Sequence, residues 1–384
     1  MTSNRRITVA IVVSNLEYGG AQRQIVELAN NIDISLCELH VVSLSQYVPL
    51  SVGLRIPRGQ FHVVEKHHKY DISVAWRLAQ LLRKINAHIV HGYLFDAEIA
   101  ARLAGRIAKV VAVGGSERNT DYQLKKIQLA TYRLTRSMVD FVIANSNAGA
   151  AFNSRTLGHP IEMYRVVHNG IDTTRFRPTG PAPTRDELDI PKDHFVIGMF
   201  GSFKAQKNHI MLFRSYQKFL ASHPDSTLLL VGDQLAGGLH GSSDYYAEMR
   251  HAVRELGIDN NSLFVGNRDC VESLYNACDV TVLPSLFEGT PNVALESMAC
   301  EVPVVATRVS DNDYVIRDGQ TGYLVELDDV DALVDRLSHL ADDPTTRLRM
   351  GKAARQRMIE EFSSIRLAEK TLQVYTEIID ARGT

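Results

Sequence analysis

The sequence predicts an α/β protein of two doubly wound halves. Three observations carry this. Short apolar, β-rich runs alternate with segments of helical periodicity along almost the whole chain, as strands joined by helices do. The alternation breaks at HNGIDTTRFRPTGPAPTRDEL, a stretch of turn residues with Pro178, Gly180, Pro181 and Pro183, and restarts at Phe195. The 384 residues suffice for two ordinary domains, and 45% hydrophobic residues suffice to fill two cores.

Taken in order, Ile7–Val13 is near-continuously apolar, as a strand buried on both faces should be. SNLEYGGAQRQIVELANNI follows as a loop and an amphipathic helix. Gly19 and Gly20 allow close backbone approach to a ligand. No third glycine completes a dinucleotide fingerprint, which argues against a dehydrogenase. Leu39–Leu44 and Phe61–Val64 read as strands, Ile72–Ile85 as a helix, His88–Tyr93 as a strand and Ile99–Ala108 as a helix. Ligands of open α/β sheets bind at the carboxyl ends of strands, which brings in His91, Tyr93 and Asp96. A lone strand-end histidine is more often structural. Val110–Gly114 is a strand, and the loop after it offers Glu117, Arg118 and Asn119. QLKKIQLATYRLTRSMVD reads as a helix carrying Lys125, Lys126, Arg133 and Arg136. Its apolar residues give no single clean face. It suits a solvated basic helix with one core side, and a helix lying on a membrane is the second reading. Phe141–Ala144 is a strand, Asn145 or Ser146 caps the next helix, and Tyr164–Val167 is the last strand of this half.

The boundary is expected near 178–190, giving domains 1–178 and 179–363 and a final helix within 364–384. In the second half Phe195–Phe200 is a buried strand, followed by GSFKAQKNH and a helix. Lys207 there offers a point positive charge at a strand's carboxyl end, suited to a diphosphate leaving group. Thr227–Gly232 and Leu263–Asn267 read as strands, with a polar loop over Gln234–Tyr246 between them. Thr281–Leu283 closes another strand, and Pro284 ends it. Gly289, Thr290 and Pro291 make a tight loop, with Pro291 in the first turn of a helix. Val293, Leu295, Met298 and Ala299 keep a helical period. The unpaired N–H groups of such a start, from Gly289 through Asn292 and Val293, favour an anion such as a pyrophosphate. Glu288 and Glu296 bracket the turn. Carboxylates are poor partners for phosphate, so the pair suits the hydroxyls of a sugar and of a ribose. The plainer reading is a buried strand-loop-helix corner with two solvated acids. Val304–Thr307 is a strand, Gly319 and Gly322 make a turn, and helices fill the rest, ending with Ser364–Ile379.

FEGTPNVALESMAC, then VPVVATRV and DGQTGYLV, resembles the donor-site signature of the family 4 glycosyltransferases, which are retaining enzymes of the GT-B fold. GGAQR at 19–23, HNGID at 168–172 followed by Phe176, and GSFKAQKNH at 201–209 extend the resemblance over nearly the whole chain. It implies two Rossmann-like domains facing each other across a cleft, the first binding an acceptor and the second a nucleotide-diphosphate sugar, UDP-sugar favoured over GDP-sugar. It implies that the Gly19–Gly20 loop reaches toward the donor phosphate, that the backbone around Gly266–Arg268 borders the base, and that Glu288 orients the sugar. It also implies a histidine near donor or acceptor, with His91 in that role, although Asp96 occupies a spot where relatives can have histidine. Tyr93, Asp96, Glu117, Arg118 and Asn119 become acceptor candidates. Relatives carry arginine directly after the glycine of the GSF loop. Here that position is Ser202, and Lys204 is the residue that could compensate. The final helix commonly crosses back to the first domain. No cofactor or metal is expected: Asp311 and Asp313 form an Asp-x-Asp pair, but this fold uses helix N-termini and basic side chains where other glycosyltransferases use a cation.

Residues 1–178 carry 22 Lys+Arg against 13 Asp+Glu, and the remainder 20 against 31. A basic first half suits an anionic membrane surface or a lipid-linked acceptor, and plain solvated surface is the alternative. Four scattered cysteines without redox or zinc spacing read as buried thiols in a reducing cytoplasm. No apolar run reaches the ~20 residues of a membrane span, so membrane contact would be peripheral, and no nucleic-acid partner is expected. The expected activity is transfer of a hexosyl or N-acetylhexosaminyl group to a glycan or lipid-linked hydroxyl in surface polysaccharide synthesis. The rivals are a sugar-nucleotide epimerase and a non-catalytic sugar-nucleotide-binding protein.

Overall fold

The structure is a computed structural model and describes residues 6–68, 71–120, 124–232, 242–268 and 270–383. The chain divides into two compact units, Met1–Gly170 with Ser364–Thr384, and Ile171–Ser363. Each is built on a parallel sheet with helices on both faces.

In the first unit the strands are β1 (Ile7–Val13), β2 (Cys37–Ser43), β3 (Phe61–Val63), β4 (Ile89–Tyr93), β5 (Ala112–Glu117), β6 (Phe141–Ala144) and β7 (Tyr164–Val166). They pair in the order β3-β2-β1-β4-β5-β6-β7. All seven residues of β1 are buried, because successive side chains enter opposite cores. Val9, Ile11 and Val13 pack with the helices Gly20–Asn31 and Ser364–Asp380. Ala10 and Val12 pack with the helices Ser73–Lys84 and Phe95–Ala108. The chain winds one way from β1 to β3, then returns to β1's other side as β4. That reversal makes a switch point, where the carboxyl ends of β1 and β4 diverge into different loops.

The second unit repeats the plan. Its strands are β8 (Phe195–Phe200), β9 (Ser226–Val231), β10 (Ser262–Gly266), β11 (Val280–Leu283), β12 (Val304–Thr307) and β13 (Gly322–Val325), ordered β10-β9-β8-β11-β12-β13. The switch point lies between β8 and β11, which pair directly. Val196 and Phe200 of β8 face a core shared with Leu295 and Met298. Ile197 and Met199 face the core that holds Leu212, Phe213 and Leu333.

Several expectations are corrected. Gly322–Val325 is a strand where a turn leading into helices was expected; its four residues pair along β12 and have little local signal of their own. The polar-loop reading of Gln234–Tyr246 fails at its end, since Ser242–Glu255 is a helix; residues 234–241 lie outside the described residues. A short helix, Ala182–Glu187, occupies the Pro/Gly segment. The chain changes unit at Gly170–Ile171, ahead of that segment. The cause is local: the Ile171 N–H donates to Phe362 O, and Phe176 is buried in the second unit's core. The basic helix Lys126–Leu134 buries only Tyr132, while Ile127 and Leu134 are exposed, so it has almost no core side. Cys37, Cys278 and Cys300 are buried as expected, but Cys270 is exposed. Of the two cap candidates, Ser146 caps the helix Asn147–Leu157 by accepting from Gly149 N–H. Among the described residues no helix is long and apolar enough to cross a membrane.

Candidate active site

The second unit's switch point gathers the chemistry. The loop after β8 carries Gly201, Ser202, Lys204 and a short 3₁₀ turn, Ala205–Lys207. The loop after β11 carries Ser285 to Pro291 and leads into the helix Asn292–Ala299. Because β8 and β11 are neighbours, the two loops meet. Leu286 N–H donates to Gln206 O at 2.9 Å, and Gln206 Nε2 donates to Phe287 O at 2.7 Å. That lacing sets Lys207 Nζ 2.6 Å from Glu288 Oε1, and both side chains are 11% exposed.

Glu288 is held on two further sides. Ser285 Oγ donates to its Oε1 at 2.7 Å, and its backbone N–H donates to Ser310 Oγ at 3.0 Å. Ser285 is itself tied to the next strand, since Thr307 Oγ1 donates to Ser285 O at 2.6 Å. Lys204 belongs to the same cluster. Its pKa is pushed down by burial, with repulsion from Lys207 adding to the effect and Glu288 opposing it. The helix after the loop begins at Pro291, an N-cap whose side chain offers no acceptor. Pro291 therefore sits one position before the first helical turn expected for it. Gly289 and Thr290 are buried, and Asn292 and Val293 are half-buried at the helix start. The arrangement places two ammonium groups and a helix N-terminus around one carboxylate. It can bind an anion and a hydroxyl group side by side.

Glu296 lies one turn further on and faces inward. It is 6% exposed, and Tyr275 OH donates to its Oε2 at 2.6 Å. Tyr275 stacks on Phe200 of β8 with ring centroids 3.8 Å apart. Glu296 is thus a fixed, buried acid, and the reading of two solvated acids fails for both carboxylates. Gly266 ends β10 at φ +66°, and Arg268 after it is exposed. Gly232, which ends β9 at φ +140°, packs against Gly201 and donates its N–H to Gly266 O. Ser202 is half-buried beside these turns. Asp311 is buried and Asp313 exposed, and the Asp311 backbone carbonyl accepts the first bonds of the short helix Asn312–Val315. Among the described residues no three His, Cys, Asp or Glu side chains are grouped to hold a metal ion.

The first unit presents its own strand ends. Gly19 is the N-cap of the helix Gly20–Asn31; it is half-buried and Gly20 is exposed. His91, expected near donor or acceptor, is enclosed within the first unit. It is 0% exposed inside β4, with Nδ1 2.8 Å from Tyr375 OH and Nε2 2.8 Å from Ser116 Oγ. Burial drives its pKa down to about 3, so it stays neutral. Glu117 is also a structural acid: it is 4% exposed, its Oε1 accepts the N–H groups of Arg118 and Asn119, and its Oε2 bonds Asn153. Tyr93 is buried beneath the guanidinium of Arg118, at 4.6 Å from the ring centre. Asp96 is exposed in the first turn of the helix Phe95–Ala108 and pairs with Lys66 at 2.9 Å. Asn119 Oδ1 turns back to accept Thr120 N–H.

Sequence reasoning missed Tyr275, Ser285, Ser310 and Gln206. Ser285 and Ser310 carry a faint signal, since each follows a strand end. Tyr275 and Gln206 carry none, because their roles arise from contacts between distant segments.

A family model described as Glycosyltransferase Family 4 matches residues 18–175, and one described as Glycosyl transferases group 1 matches residues 182–357. The alpha-maltose-1-phosphate synthase of Mycobacterium tuberculosis is 31% identical over 317 residues, 76% of this chain and 79% of the relative. The Escherichia coli UDP-Gal:alpha-D-GlcNAc-diphosphoundecaprenol alpha-1,3-galactosyltransferase is 24% identical, over 80% of each chain. The crystal structure of Anabaena HepE in complex with UDP superposes with a TM-score of 0.83 over 97% of this chain and 100% of its own, at 20% identity, a likeness of fold.

Proposed function

The chain belongs to the family 4 glycosyltransferases of GT-B fold, and on that footing we propose that it moves a hexosyl or N-acetylhexosaminyl group from a nucleotide-diphosphate sugar to a hydroxyl of a glycan or lipid-linked acceptor. The observation that carries the reading is the Lys207–Glu288 contact at 2.6 Å, set at the switch point beside the start of the helix Asn292–Ala299. Lys207 and Lys204 neutralise the diphosphate, with Lys204 standing in for the arginine absent at Ser202. The N–H groups of Gly289, Thr290, Asn292 and Val293 complete the phosphate site. Glu288 takes a sugar hydroxyl, and Glu296, aligned by Tyr275, takes the ribose diol. Gly266 and Arg268 border the base. The first unit binds the acceptor.

Transfer then proceeds with retention. The bond from the anomeric carbon to the phosphate oxygen breaks, the acceptor oxygen bonds to the same face, and its proton passes to the departing phosphate. Lys207 stabilises the charge that develops on that phosphate. No cofactor and no metal take part. A UDP donor is favoured, in keeping with the E. coli relative's name and the UDP bound to HepE. Work on surface polysaccharide in the cytoplasm suits the exposed basic helix Lys126–Leu134, whose Ile127 and Leu134 would touch an anionic membrane. The test is a panel of UDP-, GDP- and ADP-sugars scored by melting temperature, followed by transfer assays with the responsive donor. A rise with a UDP-sugar is expected. No response to any member rules the donor site out.

A further inference from the structure

Just past the carboxyl end of β5 lies a half-buried arginine whose inner donors have no partner among the described residues. The Nε and Nη1 atoms of Arg118 are buried, and among the described residues they make no hydrogen bond. The adjoining carboxylate does not help, because Glu117 spends its oxygens on the backbone N–H groups of Arg118 and Asn119 and on Asn153. What holds the guanidinium is a ring: its carbon sits 4.6 Å from the centre of Tyr93, the last residue of β4. Tyr93 is fixed in turn by His91, at 4.6 Å between ring centres, and His91 by Tyr375 and Ser116. The residue is thus oriented on a rigid platform while its donors stay unused.

Buried donors are nearly always paired, and an unpaired guanidinium is the costliest exception. A planar fork of N–H groups matches the two oxygens of a phosphate or a carboxylate. Stacking on Tyr93 fixes the plane of that fork without consuming a donor. Position agrees with chemistry, since ligands of open parallel sheets lie beyond the carboxyl ends of the strands.

We propose that Arg118 receives an oxyanion carried by the acceptor, a phosphate ester or a carboxylate, so that the enzyme selects anionic acceptors. This rests on the reading of the first unit as the acceptor-binding one. Tyr93 is a positioning residue for that contact.

The test uses the full chain saturated with UDP, so that the donor phosphate site is filled. Inorganic phosphate and, separately, malonate are titrated calorimetrically against chloride at matched ionic strength, into wild type, R118Q and R118K. At least one anion is expected to bind saturably. R118Q should weaken it by about tenfold or more, and R118K by less, because a point charge replaces the fork. The ligand-free R118Q protein should melt at or above the wild-type temperature, since the substitution removes two buried nitrogens that make no hydrogen bond among the described residues. Which anion responds separates a phosphate-bearing from a carboxylate-bearing acceptor. Equal affinity in wild type and R118Q, no saturable binding of either anion to wild type, or a marked fall in the melting temperature of ligand-free R118Q overturns the proposal. Absence of heat on adding UDP counts against the donor site alone, and leaves the Arg118 comparison readable.

Discussion

Lys207 and Glu288 lie where a charge pair is worth more for positioning than for stability. At 11% exposure each has lost most of its water, and their attraction roughly repays that loss. Replacing Glu288 by Gln keeps the shape and the bond from Ser285 while removing the negative charge. The expected result for E288Q and for K207A is a fall in kcat of about 10²–10³-fold, the size seen when one group stabilising a developing charge is lost. Steady-state kinetics with melting curves on the same samples check it. Near-normal turnover in both variants ends the proposed roles. Histidines give a second prediction at this scale. Burial lowers His91 and His209 to about 3, against an ordinary value near 6.5. The folded state keeps both neutral, while the unfolded chain takes up protons below about pH 6.5. Their contribution is therefore full above that pH and drains away as pH falls toward 3, by about 1.4 kcal/mol per unit for each ring. Urea midpoints should drop between pH 7 and 5, and H91N should show a shallower drop.

At the scale of elements, the strand-end turns of the second unit depend on one tight crossing. Gly232 has φ +140°, and a β-carbon there would run into the carbonyl oxygen of Gly201. Gly232→Ala should cost about 3 kcal/mol or more, through strain and displacement of the lysine-bearing loop. It should lower both the urea midpoint and UDP affinity. Most elements were legible in the sequence because burial and period agree: β1 and β8 are apolar throughout, and the helix Ser73–Lys84 shows its stripe. The polar exceptions were less legible. β13 is four residues long and becomes a strand only by pairing with β12. His91 looked like a ligand because a strand end is where ligands bind. Its real partner, Tyr375, arrives from 284 residues away on the last helix. Tyr375→Phe should cost about 1 kcal/mol for that lost bond, with little effect on donor binding.

For the whole molecule, one rule covers both units: each sheet reverses its strand order once, between β1 and β4 in the first and between β8 and β11 in the second. In the second unit the cluster of Lys204, Lys207, Glu288 and the helix Asn292–Ala299 follows from the neighbourhood of β8 and β11, and its motifs could be read from the sequence. In the first unit the same rule points to strand ends whose side chains are already engaged with one another. Glu117 and His91 are buried and hydrogen-bonded there, Tyr93 lies beneath a guanidinium, and Nε and Nη1 of Arg118 make no hydrogen bond among the described residues. Sequence cannot make that distinction, because whether a polar atom is satisfied depends on partners brought in by packing. The account's central claim is that a diphosphate-linked donor is held by the Lys207 ammonium while Glu288 serves the sugar. Calorimetric titration of UDP and of a responsive UDP-sugar into wild type, K207A and E288Q tests it most directly. Wild type is expected to bind UDP in the micromolar-to-millimolar range, K207A at least about tenfold more weakly, and E288Q as wild type does, with loss confined to the sugar's contribution. UDP binding to K207A as tightly as to wild type would contradict it.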